Sequence, residues 1–196
     1  MNKRILLPVG IVIAILVIYV ISAYNHLVTL QQGVQASWAQ VQNVYERRLD
    51  LIPNLVATVQ GYAKHERETL IAVIQARNQA QSVVALNANT LPNATKLAQI
   101  ETSQDALSAT LGKLMVVVER YPDLKASQNF LALQYELAGT ENRIAVERRR
   151  FNEATMAYDV AIRRFPNNIL ANMFGFSSAA YFQAQPNADI APKVSF

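Results

Sequence analysis

The two histidines are the first residues to test for chemistry, because imidazole is the side chain best suited to moving protons or holding a metal near neutral pH. His65 sits in the word His65-Glu66-Arg67-Glu68-Thr69. A zinc-protease helix places a second histidine four residues after the first, and Thr69 is there instead. A di-iron bundle needs a glutamate three residues before its histidine, and Ala23 and Tyr62 hold those places before His26 and His65. With two histidines and no cysteine, the chain offers no metal-ligand set and no disulfide or thiol chemistry. No serine lies in a glycine-flanked elbow, and the six glycines are scattered rather than gathered into a phosphate-cradling loop. The residue types point to a protein that is not an enzyme and uses no cofactor.

What remains is charge and aromatic surface. Arg47, Arg48 and Asp50 lie where a pure apolar helical stripe would continue, just before Pro53, and Glu141, Arg143 and Glu147 lie in the middle of the last long helix. Charges in the middle of long amphipathic helices pair with one another, so these six are expected to form ion pairs that set helix register; the competing reading is a polar surface for a partner. Glu147-Arg148-Arg149-Arg150 is the only dense basic run, and it reads as a solvated helix face with Arg149 and Arg150 reaching Glu153. Phe165, Phe174, Phe176, Tyr181 and Phe182 form a late aromatic group that packs on the fold, meets a membrane interface or contacts a partner.

The elements that must carry these residues begin with an anchor. Ile5 to Ala23 is a run of 19 residues without a charge, which as a helix reaches roughly 28 Å, close to the hydrocarbon thickness of a bilayer. A cleaved leader would have a shorter apolar core and a small-x-small site, and Ile21-Ser22-Ala23 followed by Tyr24 is a poor one. Lys3 and Arg4 precede the run and the next basic residue after it, His26 aside, is Arg47. That asymmetry predicts a cytoplasmic N-terminus, with the rest of the chain outside a bacterial inner membrane. Setting aside Lys3 and Arg4 leaves 16 basic and 14 acidic side chains, too mild a surplus to imply a nucleic-acid partner.

Beyond the anchor the pattern is helical throughout, in keeping with only 6 glycines and 7 prolines. Apolar residues from Leu27 through Val34, Trp38, Val41, Ile52 and Val59 to Tyr62 recur at spacings of three and four, which predicts a helix to about Gly61 with a kink or break near Leu51 to Pro53. A second helix is expected over Lys64 to Val84 and a loop over Asn87 to Asn93. A third runs from Thr95 to Tyr121 with heptad positions broken only by Gln104. The fourth, Ser127 to Arg164, carries Phe130, Leu137, Ile144, Phe151, Tyr158 and Phe165 at intervals of seven. The expected fold is all-α: an anchor over 1–24, an antiparallel four-helix bundle with long first and fourth helices over 25–165, and a tail over 166–196 packing on the membrane-proximal end. With Leu27 level with Phe165, Arg48 falls level with Ile144, one turn from both Glu141 and Glu147.

Several of these words resemble the bacterial LemA family. They are Tyr24-Asn25-His26-Leu27-Val28, Arg47 through Val56, Glu141-Asn142-Arg143-Ile144-Ala145, Arg149-Arg150-Phe151-Asn152, Phe165-Pro166-Asn167, Tyr181-Phe182 and the ending Ala191 to Phe196. Phe151 stands where a tyrosine is common and Asn43 where an acid is common. The resemblance implies a membrane-anchored helical extracytoplasmic domain and supplies no reaction. The expected role is a non-catalytic scaffold. It would be held in lipid by its anchor and meet other membrane or envelope proteins, or further copies of itself. Membrane shaping by lateral assembly, and ligand sensing with a separate signalling subunit, are the alternatives.

Overall fold

A computed structural model describes residues 3–85 and 92–183. All regular secondary structure among them is helical: α1 (Lys3–Tyr62), α2 (Arg67–Ala85), α3 (Ala94–Val118), the single turn α4 (Pro122–Lys125), α5 (Gln128–Arg163) and α6 (Asn167–Phe174). The loop expected over Asn87 to Asn93 and the chain end from residue 184 lie largely outside the described residues. Asn93 itself caps α3, its side chain accepting from the Lys96 amide at 2.9 Å, which satisfies one of the orphan donors of the first turn.

α1 passes from the apolar run into the rest of the fold without interruption. Along Val9 to Ile18 its large apolar side chains are exposed on every side, with values such as 56% for Val12 and 67% for Ile18. Such a helix satisfies its own backbone and leaves its apolar surface to a nonpolar solvent. It is the one described helix long and apolar enough to cross a membrane.

From Leu27 onward α1 buries a stripe of Leu27, Val34, Trp38, Val41, Tyr45, Leu49, Ile52, Leu55 and Val59. Tyr62, expected on this stripe, is half exposed where the helix ends. Of the kink or break expected near Leu51 to Pro53, the break does not occur, and α1 is continuous through Pro53. The reason lies on a neighbouring helix: the Leu49 carbonyl, which residue 53 would normally serve, accepts instead from Arg77 Nε at 3.2 Å.

α1 packs along α5, and α2 packs against both α1 and α3. Trp38 against Phe151 and Arg48 against Glu141 make α1 and α5 antiparallel. The interior falls into two apolar clusters. The one nearer the anchor runs through Leu27, Trp38, Tyr45, Ile100, Ile144, Phe151 and Tyr158. The distal one runs through Leu49, Ile52, Leu107, Leu114 and Phe130. The seven-residue stripe of α5 is buried at Phe130, Ile144, Phe151 and Tyr158 but fails at its end, where Phe165 is 76% exposed. α5 stops at Arg163, so Phe165 belongs to a turn and no longer follows the helical face.

Candidate functional site

The boundary between the two apolar clusters is a polar layer centred on Arg48, which is 5% exposed. On α1 the layer falls between Tyr45 and Leu49, on α3 between Ile100 and Leu107, and on α5 between Ile144 and Phe130. The Arg48 guanidinium of α1 reaches partners on two other helices, α3 and α5. Nη2 donates to Ser108 Oγ at 2.7 Å, Nη1 donates to Gln104 Oε1 at 3.3 Å, and Nη1 lies 3.2 Å from Glu141 Oε2. Ser108 in turn donates to the Gln104 carbonyl at 3.0 Å, and Thr140 returns its hydroxyl to the Glu136 carbonyl at 2.8 Å. A buried guanidinium needs this many acceptors because each unmet donor would carry a desolvation penalty.

One turn toward the anchor, Arg148 of α5 pairs with Glu101 of α3 and lies 4.4 Å from the centre of the Phe182 ring. Burial pushes the Glu101 carboxyl above its usual range; Arg148 pulls it down and Asp105 pushes it up. The Tyr45 hydroxyl beneath them is fully buried with no hydrogen-bond partner among the described residues. Burial outweighs the nearby arginines and holds its pKa up at about 12.

The second feature is a seam formed by the chain after α6. Gly175 takes a left-handed conformation, φ 77°, and ends the helix. The chain then runs back along α5 as an extended segment. Asp159 Oδ1 accepts from the Ala179 amide at 3.2 Å and Oδ2 from the Tyr181 hydroxyl at 3.3 Å. Asn152 takes both polar groups of Phe182, accepting from its amide at 3.0 Å and donating to its carbonyl at 3.1 Å. The Phe182 ring, 5% exposed, packs edge-on against Phe151 at 5.5 Å and beside Trp38 at 6.2 Å. At the lower end, Tyr24 meets Phe174 at 5.0 Å and Phe176 at 5.7 Å.

The expected charge cluster is therefore partly assembled. Arg48 and Glu141 meet as the register argument required. Arg47 pairs with Glu136, one turn further along α5, and that pairing, with Arg143 adding to it, holds the Glu136 carboxyl below its usual range. Asp50 makes no ion pair among the described residues and lines a shallow cleft with Glu46, Leu49, Gln81 and Val84, because position 50 faces α2 rather than α5. Glu147 turns to Arg150 at 2.7 Å within its own helix. Of the two predicted contacts to Glu153, Arg149 makes one, at 3.7 Å.

Gln104, Ser108, Asn152, Asp159 and the Glu101 to Arg148 pair were not foreseen. Gln104 had a signal, since it alone breaks the α3 heptad. Among the described residues no three His, Cys, Asp or Glu side chains gather as a metal site.

Comparison with known proteins identifies the family and several relatives. The family model described as "LemA family" matches residues 37–196. The chain is 29% identical over 183 residues to magnetosome protein MamQ 2 of Paramagnetospirillum magneticum, covering 85% of this chain and 66% of that protein. It is 27% identical over 206 residues to magnetosome protein MamQ of Magnetospirillum gryphiswaldense, covering 93% and 75%. It is 26% identical over 160 residues to protein LemA of Metamycoplasma hominis, covering 82% and 68%. The chain thus spans about two thirds of the length of the first of these relatives.

Proposed function

This chain belongs to the LemA family, and from that premise we propose that it is a membrane-anchored, non-catalytic scaffold presenting a four-helix bundle outside the cytoplasm for other envelope proteins or further copies of itself. In this reading residues 1–24 are the anchor, 25–165 the bundle built from α1, α2, α3 and α5, and the segment from 166 closes its membrane-proximal end. The N-terminus is cytoplasmic, as Lys3 and Arg4 ahead of the apolar run favour.

The observation that carries the proposal is the continuity of α1. One unbroken helix of 60 residues links the uncharged run to the core, so the anchor holds the bundle through a stiff helix rather than a flexible linker. The charged interior residues are consumed in pairing, which suits a fixed presenting surface and supports no reaction. The distal exposed side chains, Tyr135 at 77% and Val116 at 71%, are available to a partner.

A photo-crosslinking residue at Tyr135 in native membranes tests the role. Discrete adducts with an envelope protein or a second copy are expected, and recovery of monomer alone overturns the scaffold reading. Protease added to intact spheroplasts tests orientation: digestion of the C-terminal portion is expected, and protection until the bilayer is breached overturns the extracytoplasmic placement.

A further inference from the structure

We propose that the turn between α5 and α6, together with the outer face of α6, sits in the interfacial layer of the bilayer that holds α1 and binds phospholipid there; the inference rests on the reading of α1 as an anchor. Depth is set by two contacts. Tyr19, inside the uncharged run, donates its hydroxyl to Asn167 Oδ1 at 2.9 Å. Tyr24, just past the end of that run, meets the Phe174 ring at 5.0 Å. α6 therefore lies beside the stretch of α1 between these tyrosines, which covers only about 8 Å of helix axis, comparable to the thickness of one headgroup layer.

The side chains sort by the same logic. Leu170 and Ala171 face inward and are buried. Ile169 at 58% and Met173 at 64%, one turn apart, face outward, with Phe174 at 45% and Phe165 at 76% on the adjoining turn. Single exposed apolar residues are ordinary, but three on one short helix with a fourth in the turn just before it call for a nonpolar neighbour. Their level on α1 is also where Ile18 and Ile21 are exposed, 67% and 55%, so the two surfaces share one depth. Charge agrees with a phosphate-bearing surface. The exposed Arg164 precedes Phe165, Arg163 beside it is already paired with Asp159 at 3.4 Å, and no acidic residue occurs from Arg163 through Phe182. The exposure of Phe165, which its heptad position does not explain, follows: the ring leaves the protein core for the interface.

The absence of cysteine makes the test direct. Four single-cysteine variants of the full chain, Phe165→Cys, Met173→Cys, Ile13→Cys and Tyr135→Cys, are labelled with an environment-sensitive fluorophore. They are reconstituted in phosphatidylcholine and phosphatidylglycerol vesicles containing lipids with a nitroxide near the headgroup or deep in the acyl chain. Labels at 165 and 173 are expected to shift to the blue and to be quenched several-fold more by the shallow nitroxide than by the deep one. Ile13→Cys should respond most to the deep nitroxide, and Tyr135→Cys to neither.

Quenching at 13 with water-like labels at 165 and 173 overturns the interfacial contact and leaves the anchor standing. Water-like labels at all four positions overturn both. Blue-shifted labels at 165 and 173 that no lipid nitroxide quenches mean that protein, such as a second copy, covers these positions, and this also overturns the proposal. Shallow quenching at 165 and 173 without deep quenching at 13 overturns the spanning anchor and, with it, the proposed depth of α6 in the bilayer that holds α1.

Discussion

Arg77 of α2 donates its Nε hydrogen to the Leu49 carbonyl of α1 at 3.2 Å, at the position where Pro53 removes the helix's own donor. In an α-helix the carbonyl of residue 49 takes the amide of residue 53, and proline has none. The guanidinium is held for this task by Gln81 Oε1 at 2.7 Å and Asn78 Oδ1 at 3.2 Å, both on its own helix. The carbonyl that the proline leaves without a helical donor is thereby a point of attachment between α1 and α2.

Replacing Arg77 by methionine, which keeps the aliphatic stem but no donor, should destabilise the fold by about 1 kcal/mol, the usual net value of one hydrogen bond. With Pro53→Ala in place the Leu49 carbonyl regains its helical partner, and the same replacement should then have about half that effect or less. Urea unfolding of the full chain in detergent measures both, and equal effects in the two backgrounds would show that Arg77 does not act through the proline.

The long elements were legible in the sequence because their apolar spacing is regular over many turns, as in the α5 residues Phe130, Ile144, Phe151 and Tyr158. The Arg48 to Glu141 contact was legible too, since antiparallel packing ties position on one helix to position on the other. Two kinds of feature were hidden. Pro53 reads locally as a breaker, and the Arg77 side chain that rescues its helix lies in another element. Phe182 reads as one more aromatic in a tail, and only the returning chain brings it to Asn152, 30 residues away. Asp50 was misassigned for a related reason: residues 47, 48 and 50 lie close in sequence but project in different directions from a helix.

Arg48 supports the layer only while its acceptors are present. Arg48→Met alone should destabilise by about 2 kcal/mol, since Gln104 Oε1 is left buried without its donor while the mostly exposed Glu141 rehydrates. Adding Gln104→Leu should restore most of that loss, because an apolar pair of similar volume continues the two clusters across the boundary. Thermal unfolding of the single and double variants decides the point: additive losses would mean that the residues act independently.

Tyr45 gives the fold an alkaline limit. Its folded pKa of about 12 exceeds the ordinary value of 10.0, chiefly through burial. The folded state therefore holds this proton more tightly than the unfolded one. The associated stability is complete below pH 10 and is lost as pH rises toward 12, by at most roughly 3 kcal/mol. Tyr45→Phe removes a hydroxyl that has no described partner, so it should leave neutral-pH stability within about 1 kcal/mol and flatten the decline above pH 10. Denaturant midpoints measured from pH 8 to 12 test this, and a decline unchanged by Tyr45→Phe would assign it to other groups.

Phe182 fastens the returning segment, and Trp38, the only tryptophan in the chain, reports on it. The ring fills space between Trp38, Phe151 and the Arg148 guanidinium. Phe182→Ala should therefore cost roughly 3 kcal/mol, redden the Trp38 emission as water enters, and speed amide exchange over residues 176–183. Asn152→Ala removes the two bonds to the Phe182 backbone but leaves the ring pocket intact, so it should speed the same exchange while moving the emission much less. The two variants separate backbone clamping from ring burial. Trp38 emission unmoved by Phe182→Ala would mean that the segment does not occupy this seam in solution, and the closed membrane-proximal end argued from it would have to be abandoned.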